Sequence, residues 1–198
     1  MDTEALYKRA YMLAILTIIG STLEGSFSVF FGYQSASLTL FGNGVVSYIE
    51  VISGIGIIGM IIRMRKPSGD EPKNFERMAL RITGYGLYFL TAGLAFMSIY
   101  NAINNYHPKT TLSGIIIAII TIIGIGALAL AKKKVGKKLN SQALLADAEC
   151  TLICVYMSTA VFISSVIYEL TKFEFADAMG AIVLAYFAYK EARECFKF

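Results

Sequence analysis

Residues 112–131 read LSGIIIAIITIIGIGALALA, twenty residues without a charged side chain, closed at once by the basic run 132–138, KKKVGKK. At about 1.5 Å per residue, a helix of that length covers the roughly 30 Å of hydrocarbon in a bilayer. Five further stretches lack Asp, Glu, Lys and Arg: 25–49, 51–62, 82–106, 150–168 and 178–189. The 198 residues are 56% hydrophobic and 16% charged, against roughly 45–50% apolar and about 25% charged in soluble domains. This excludes a soluble enzyme, a disordered chain and a disulfide-stapled secreted domain. The expected fold is all-α: a multi-pass integral membrane protein with one domain, 1–198. Its six membrane helices are placed at about 10–31, 38–62, 78–103, 112–131, 141–170 and 175–193.

Between these helices, Pro67, Gly69 and Pro72 read as helix breakers in a polar segment, and 132–140 reads as a basic loop. Loops rich in Lys and Arg stay cytoplasmic. Assigning the 18 basic residues to alternate loops puts 16 on one side and only Lys109 and Lys172 on the other. Both termini are therefore expected in the cytoplasm, in agreement with the even helix count. The acidic start Met1-Asp2-Thr3-Glu4 reads as no cleavable signal peptide, and no soluble domain is expected after the sixth helix. In a prokaryote the host would be the cytoplasmic membrane. The net charge of +4 marks helix ends rather than a nucleic-acid surface.

A few polar groups fall at membrane depth. Glu50 is near the middle of the second helix, and Cys150 and Cys154 near the middle of the fifth. A carboxylate there costs at least ~2.5–3.5 kcal/mol on insertion scales, so it normally faces the bundle interior and serves a function. The two thiols are an i, i+4 pair on one helix face, too close along one helix to form a disulfide easily. Asp147 extends that stripe by one turn. With Glu50 opposite, the stripe supplies carboxylates and sulfurs, a set that suits a borderline-soft divalent ion such as zinc. The cysteines equally fit small-residue packing, and Asp147 and Glu149 fit interfacial pairing with Lys137 and Lys138. Glu24 fits a proton relay or a structural pairing. The sole histidine, His107, precedes Pro108 in a loop and reads as a surface residue. The run 132–138 sets topology first, with anionic lipid as a secondary partner.

Shifting the chain by 104 residues lays Ser37 to Asn43 over Ser141 to Asp147, Val46 over Cys150 and Glu50 over Cys154. The second and fifth helices run in opposite directions, so the shift describes an inverted repeat of three helices each, a transporter pattern. No signature of nucleotide binding, hydrolytic catalysis or EF-hand calcium binding occurs. No enzyme activity and no resident cofactor are expected.

Residues 141–154, SQALLADAECTLIC, with Ser158 beyond, resemble the fifth helix of the cation diffusion facilitators, whose pattern there is Ser-x-Ala-Leu-x-Ala-Asp-x-x-His-x-x-x-Asp. Residues 37–50, SLTLFGNGVVSYIE, have the matching form of its second helix, and 177–185, DAMGAIVLA, with Glu191-Ala192, resemble its sixth. The resemblance runs from Glu24 onward and is to a small branch without the family's cytoplasmic domain. It implies export of zinc or a related divalent ion in exchange for protons, by a homodimer joined through membrane helices. It also implies a transport site of two residues from the second helix and two from the fifth. Carried over, these are Val46, Glu50, Cys150 and Cys154. Val46 cannot ligate, so Asn43, Asp147 or a water completes the shell. Glu50 is then both ligand and proton carrier, with Glu24 as a second proton-coupling group. Two other functions fit the residues: a membrane protein that binds metal without moving it, and a proton-coupled transporter of another solute.

Overall fold

A backbone in hydrocarbon has no water to satisfy its N–H and C=O groups, and an α-helix satisfies them within one segment. The computed structural model describes residues 3–64, 72–104, 111–173 and 175–196, and among them there is no strand. The helices are α1 (Thr3–Ser35), α2 (Leu38–Met64), α3 (Pro72–Asn104), α4 (Leu112–Leu139), α5 (Gln142–Thr171) and α6 (Ala176–Cys195). Five of them, α1 to α5, hold a stretch long and apolar enough to cross a membrane. The sixth has 20 residues, about 30 Å of helix, and is less apolar because its basic-end half carries Lys190, Glu191, Arg193 and Glu194. Large apolar side chains such as Phe89, Phe96, Ile123 and Leu170 point outward, while Thr17, Ser21, Thr39, Thr151 and Ser158 are buried. A soluble monomer does not expose that much contiguous apolar surface. The molecule is a polytopic membrane protein.

Two boundary expectations are corrected. Residues 132–139 are not a loop: α4 continues through the lysine run to Leu139. Lysine is a good helix former, and cations in a last turn are favoured by the helix dipole. Pro72 does not interrupt a helix but begins α3, the position where its missing N–H costs nothing. The linker with Pro67 and Gly69, the turn with His107 and Lys109, and the terminal Lys197 lie outside the described residues.

The 104-residue offset recurs in the backbone. After α1 the chain turns through Ala36, at φ 56°, and after α4 through Asn140, at φ 48°. Ser37 N–H donates to Gly32 O at 3.0 Å and Ser141 N–H to Gly136 O at 3.2 Å; Ala36 N–H donates to Tyr33 O and Asn140 N–H to Lys137 O, both at 3.3 Å. Both turns are Schellman closures, and the serine after each caps the next helix, accepting from Leu40 N–H and Leu144 N–H. Gly32 and Gly136 fit because a Cβ would meet Phe41 N at 2.5 Å and Leu145 at 3.1 Å.

The helices pack pairwise, α1 on α2, α4 on α5 and α3 on α6, and the equivalent helices α1 and α4, and α2 and α5, touch across the middle. The main core lies among α2, α3, α5 and α6 around Leu40, Ile49, Leu90, Met157 and Leu184. A smaller one, with Ala14, Ile57, Ile61 and Leu144, closes the basic end. At the other end Asp177 of α6 holds the start of α2. Its carboxylate accepts from Ser37 Oγ at 2.6 Å, Leu38 N–H at 2.7 Å and Thr39 N–H at 3.4 Å, and its carbonyl accepts from Thr39 Oγ at 2.6 Å. The negative charge also suits the positive end of the α2 dipole.

Candidate metal site

Positions 46 and 50 of α2, and 150 and 154 of α5, are each one helical turn apart, so each pair shares a helix face. The two faces meet. Val46, Glu50, Cys150 and Cys154 line one cavity of about 20 Å³, completed by Glu191 of α6 and walled by Leu87 and Met157. A cavity above roughly 10–15 Å³ holds one water-sized particle, so this one has room for a single water or bare ion. Val46, Glu50 and Cys154 are buried and Cys150 is half-buried. All three cysteines are free. Glu50 accepts from Ser21 Oγ at 2.8 Å through Oε2, and its buried Oε1 has no hydrogen-bond partner.

The polar residues singled out in the sequence do not gather into one shell. Among the described residues, no three His, Cys, Asp or Glu side chains are grouped so as to hold a metal ion together. They form couples instead. Asn43 donates its amide to Glu24 Oε1 at 2.8 Å, and Ser158 Oγ lies 3.4 Å from both Glu24 Oε1 and Asn43 Oδ1. Asp147 pairs with Lys132, Nζ to Oδ2 at 2.9 Å, both side chains 5% exposed. Lys132 also donates to Thr151 Oγ at 3.0 Å. Cys150 donates its thiol to Glu191 Oε1 at 3.0 Å. Glu50 and Cys154 share the cavity wall. The expected pairing of Asp147 with Lys137 or Lys138 is therefore replaced by Lys132, because both those lysines point outward. Glu149 is exposed.

Lys132 and Glu191 are the residues sequence reasoning missed, and both carry a periodic signal. The buried side of α4 runs Ala118, Thr121, Ile125, Ala129, Lys132, and that of α6 runs Asp177, Ala181, Leu184, Ala188, Glu191. Each charged residue falls in step with the small and apolar residues before it. A lysine that ends an apolar run is usually an interface marker, which hid the inward register of Lys132.

The family model for the cation efflux transmembrane domain matches residues 13–197. An uncharacterized transporter of Methanocaldococcus jannaschii is 29% identical over 188 residues, covering 90% of this chain and 64% of its own. The manganese efflux system protein MneP of Bacillus subtilis is 24% identical over 193 residues, covering 92% of this chain and 64% of its own. The chain thus spans less than two thirds of the length of these relatives.

Proposed function

We propose that this chain, which belongs to the cation efflux family, moves a divalent metal ion across the membrane in exchange for protons, zinc or a similarly soft ion first. One observation carries the reading. Glu50, Cys150 and Cys154 converge from α2 and α5 on a cavity sized for one bare ion, with a buried Glu50 oxygen left unpaired. Thiol donors favour zinc over manganese, which prefers an all-oxygen shell; manganese, the ion in the name of the relative from Bacillus subtilis, is the natural competitor to test.

Thiol and carboxylic acid must lose protons to ligate a metal, so binding expels protons and protonation expels the ion. A carboxyl buried at membrane depth must hold a proton or face a cation, so in this scheme Glu50 carries a proton without the ion and is a carboxylate paired with the ion when it ligates. Glu24, one of whose oxygens is also unpaired, is the second carrier in this scheme. Its partner Asn43 and the ion-paired Asp147 are held in couples and enter the shell only if those couples open. The repeated three-helix arms rock against each other to open the site alternately, as in other inverted-repeat transporters. Assembly as a homodimer through membrane helices, with lipid around it, completes the proposal.

The test is metal flux in proteoliposomes with an imposed pH gradient. Zinc flux should follow the gradient, and Glu50→Gln and Cys154→Ala should abolish it; unchanged flux in both variants would sink the assignment. A second reading, a protein that holds metal without moving it, draws on the apolar Val46 at a ligand position. Saturable zinc binding without gradient-driven flux would favour it.

A further inference from the structure

We propose that Glu191 of α6 is the fourth ligand of the metal site, taking the role that Val46 cannot fill. The inference rests on the reading of Glu50, Cys150 and Cys154 as cargo ligands. Zinc-like ions take four donors in a tetrahedral shell, and those residues supply three. Position 46 lines the cavity but presents only methyl groups to it. Glu191 lines the same cavity, with Oε1 3.0 Å from Cys150 Sγ. Across from it stands Glu50, 6% exposed, with its unpaired Oε1.

The two other candidates for the fourth donor, Asn43 and Asp147, are engaged. Asn43 is bonded through its amide to Glu24, and Asp147 is ion-paired with Lys132. Glu191 alone is held by a group that itself becomes a ligand. Metal bonds of about 2.3 Å to sulfur and about 2.1 Å to oxygen, at a tetrahedral angle, separate the two atoms by roughly 3.6 Å. For this pair the observed 3.0 Å needs to open by roughly 0.6 Å, while Glu50 and Cys154 must draw in on the ion, since no three such groups are gathered among the described residues. A thiolate–metal bond then replaces the S–H bond, and the thiol proton leaves to solvent. The flanking Ala188 and Ala192, both fully buried, let α6 approach closely enough for the carboxylate to reach. Cargo binding would thereby tie α6 to α2 and α5.

The experiment titrates cadmium(II) into the purified full chain and follows both affinity and the thiolate-to-cadmium charge-transfer band. Glutamine at 191 keeps an acceptor for the Cys150 thiol, so the metal-free fold should be preserved. Glu191→Gln should weaken cadmium binding by about tenfold or more, with the saturated band unchanged. Glu191→Cys offers a gain of signal that is independent of the first variant's folding. The saturated band should grow by about one half, from two thiolates to three. Wild-type affinity in Glu191→Gln, or an unchanged band in Glu191→Cys, overturns the role of Glu191. If Glu50→Gln still removes binding in that case, the site reading stands without it. A wild-type chain that binds no cadmium overturns the site reading itself.

Discussion

Position 28 of α1 is a serine, and its counterpart 104 residues on, in α4, is Lys132. Both are buried, but Ser28 Oγ has no hydrogen-bond partner while Lys132 is ion-paired with Asp147. Asn43, the counterpart of Asp147, turns instead to Glu24, one turn earlier on α1. The two arms thus share a turn geometry, a capping serine and a helix register, but neutral Ser28 and Asn43 in one arm stand where charged Lys132 and Asp147 stand in the other. One arm holds a carboxylate against a neutral amide, and the other holds a carboxylate against an ammonium. The difference sorts the buried acids. Asp147 has a resident cation and is neutralised in place, whereas Glu24 and Glu50 each keep an unpaired oxygen, and that is where a mobile cation or proton is needed.

The largest test of this contrast removes the cation. Lys132→Met leaves Asp147 buried and unpaired and should cost about 3–5 kcal/mol of stability, read from unfolding in detergent. Lys132→Met/Asp147→Asn should recover most of it; a single variant as stable as wild type would break the distinction between the arms. Next in size is the response to pH. Each proton displaced by metal should cost about tenfold in affinity per unit fall in pH. The double variant should keep the wild-type slope, because the proposed shell leaves the Lys132–Asp147 couple out. A changed slope would put Asp147 back into the shell.

The joints differ more modestly. Ala36 occupies a left-handed conformation that asparagine tolerates better, so Ala36→Gly should stabilise the chain by about 1 kcal/mol and Asn140→Gly by a few tenths at most. A melting series in one detergent separates them. Smallest in stability is Glu24→Gln, which retains the acceptor for Asn43 and should shift stability by under about 1 kcal/mol. Its effect should fall on coupling, with zinc binding retained and gradient-driven flux reduced. Wild-type flux would confine Glu24 to a structural role.

The helices were legible because the bilayer demands long charge-free runs, and the repeat was legible because residues 37–50 and 141–154 keep one offset down to their turns; which helices pair was not. Helix ends were harder to place. Lysine extends a helix as readily as it leaves a membrane, so α4 runs two turns past its apolar stretch. The convergence of Glu50, Cys150 and Cys154 on one cavity follows from helical spacing and from the family resemblance. The choice of partners does not. Whether Asp147 meets Lys132 or an outer lysine depends on the rotation of α4 against α5, which only packing decides. Glu191 sits 141 residues further along the chain than Glu50, yet lines the same cavity as Glu50 and Cys150 through the fold alone.

The clasp of Asp177 on the first turn of α2 has a mechanical consequence. Four hydrogen bonds tie α6 to the start of α2 at that end, while beside the cavity one hydrogen bond, Cys150 to Glu191, joins it to α5. For the proposed transport cycle this makes Asp177 the natural fulcrum of any tilt of α6: a shift too small to register at residue 38 would be magnified along about 20 Å of helix before it reached Glu191.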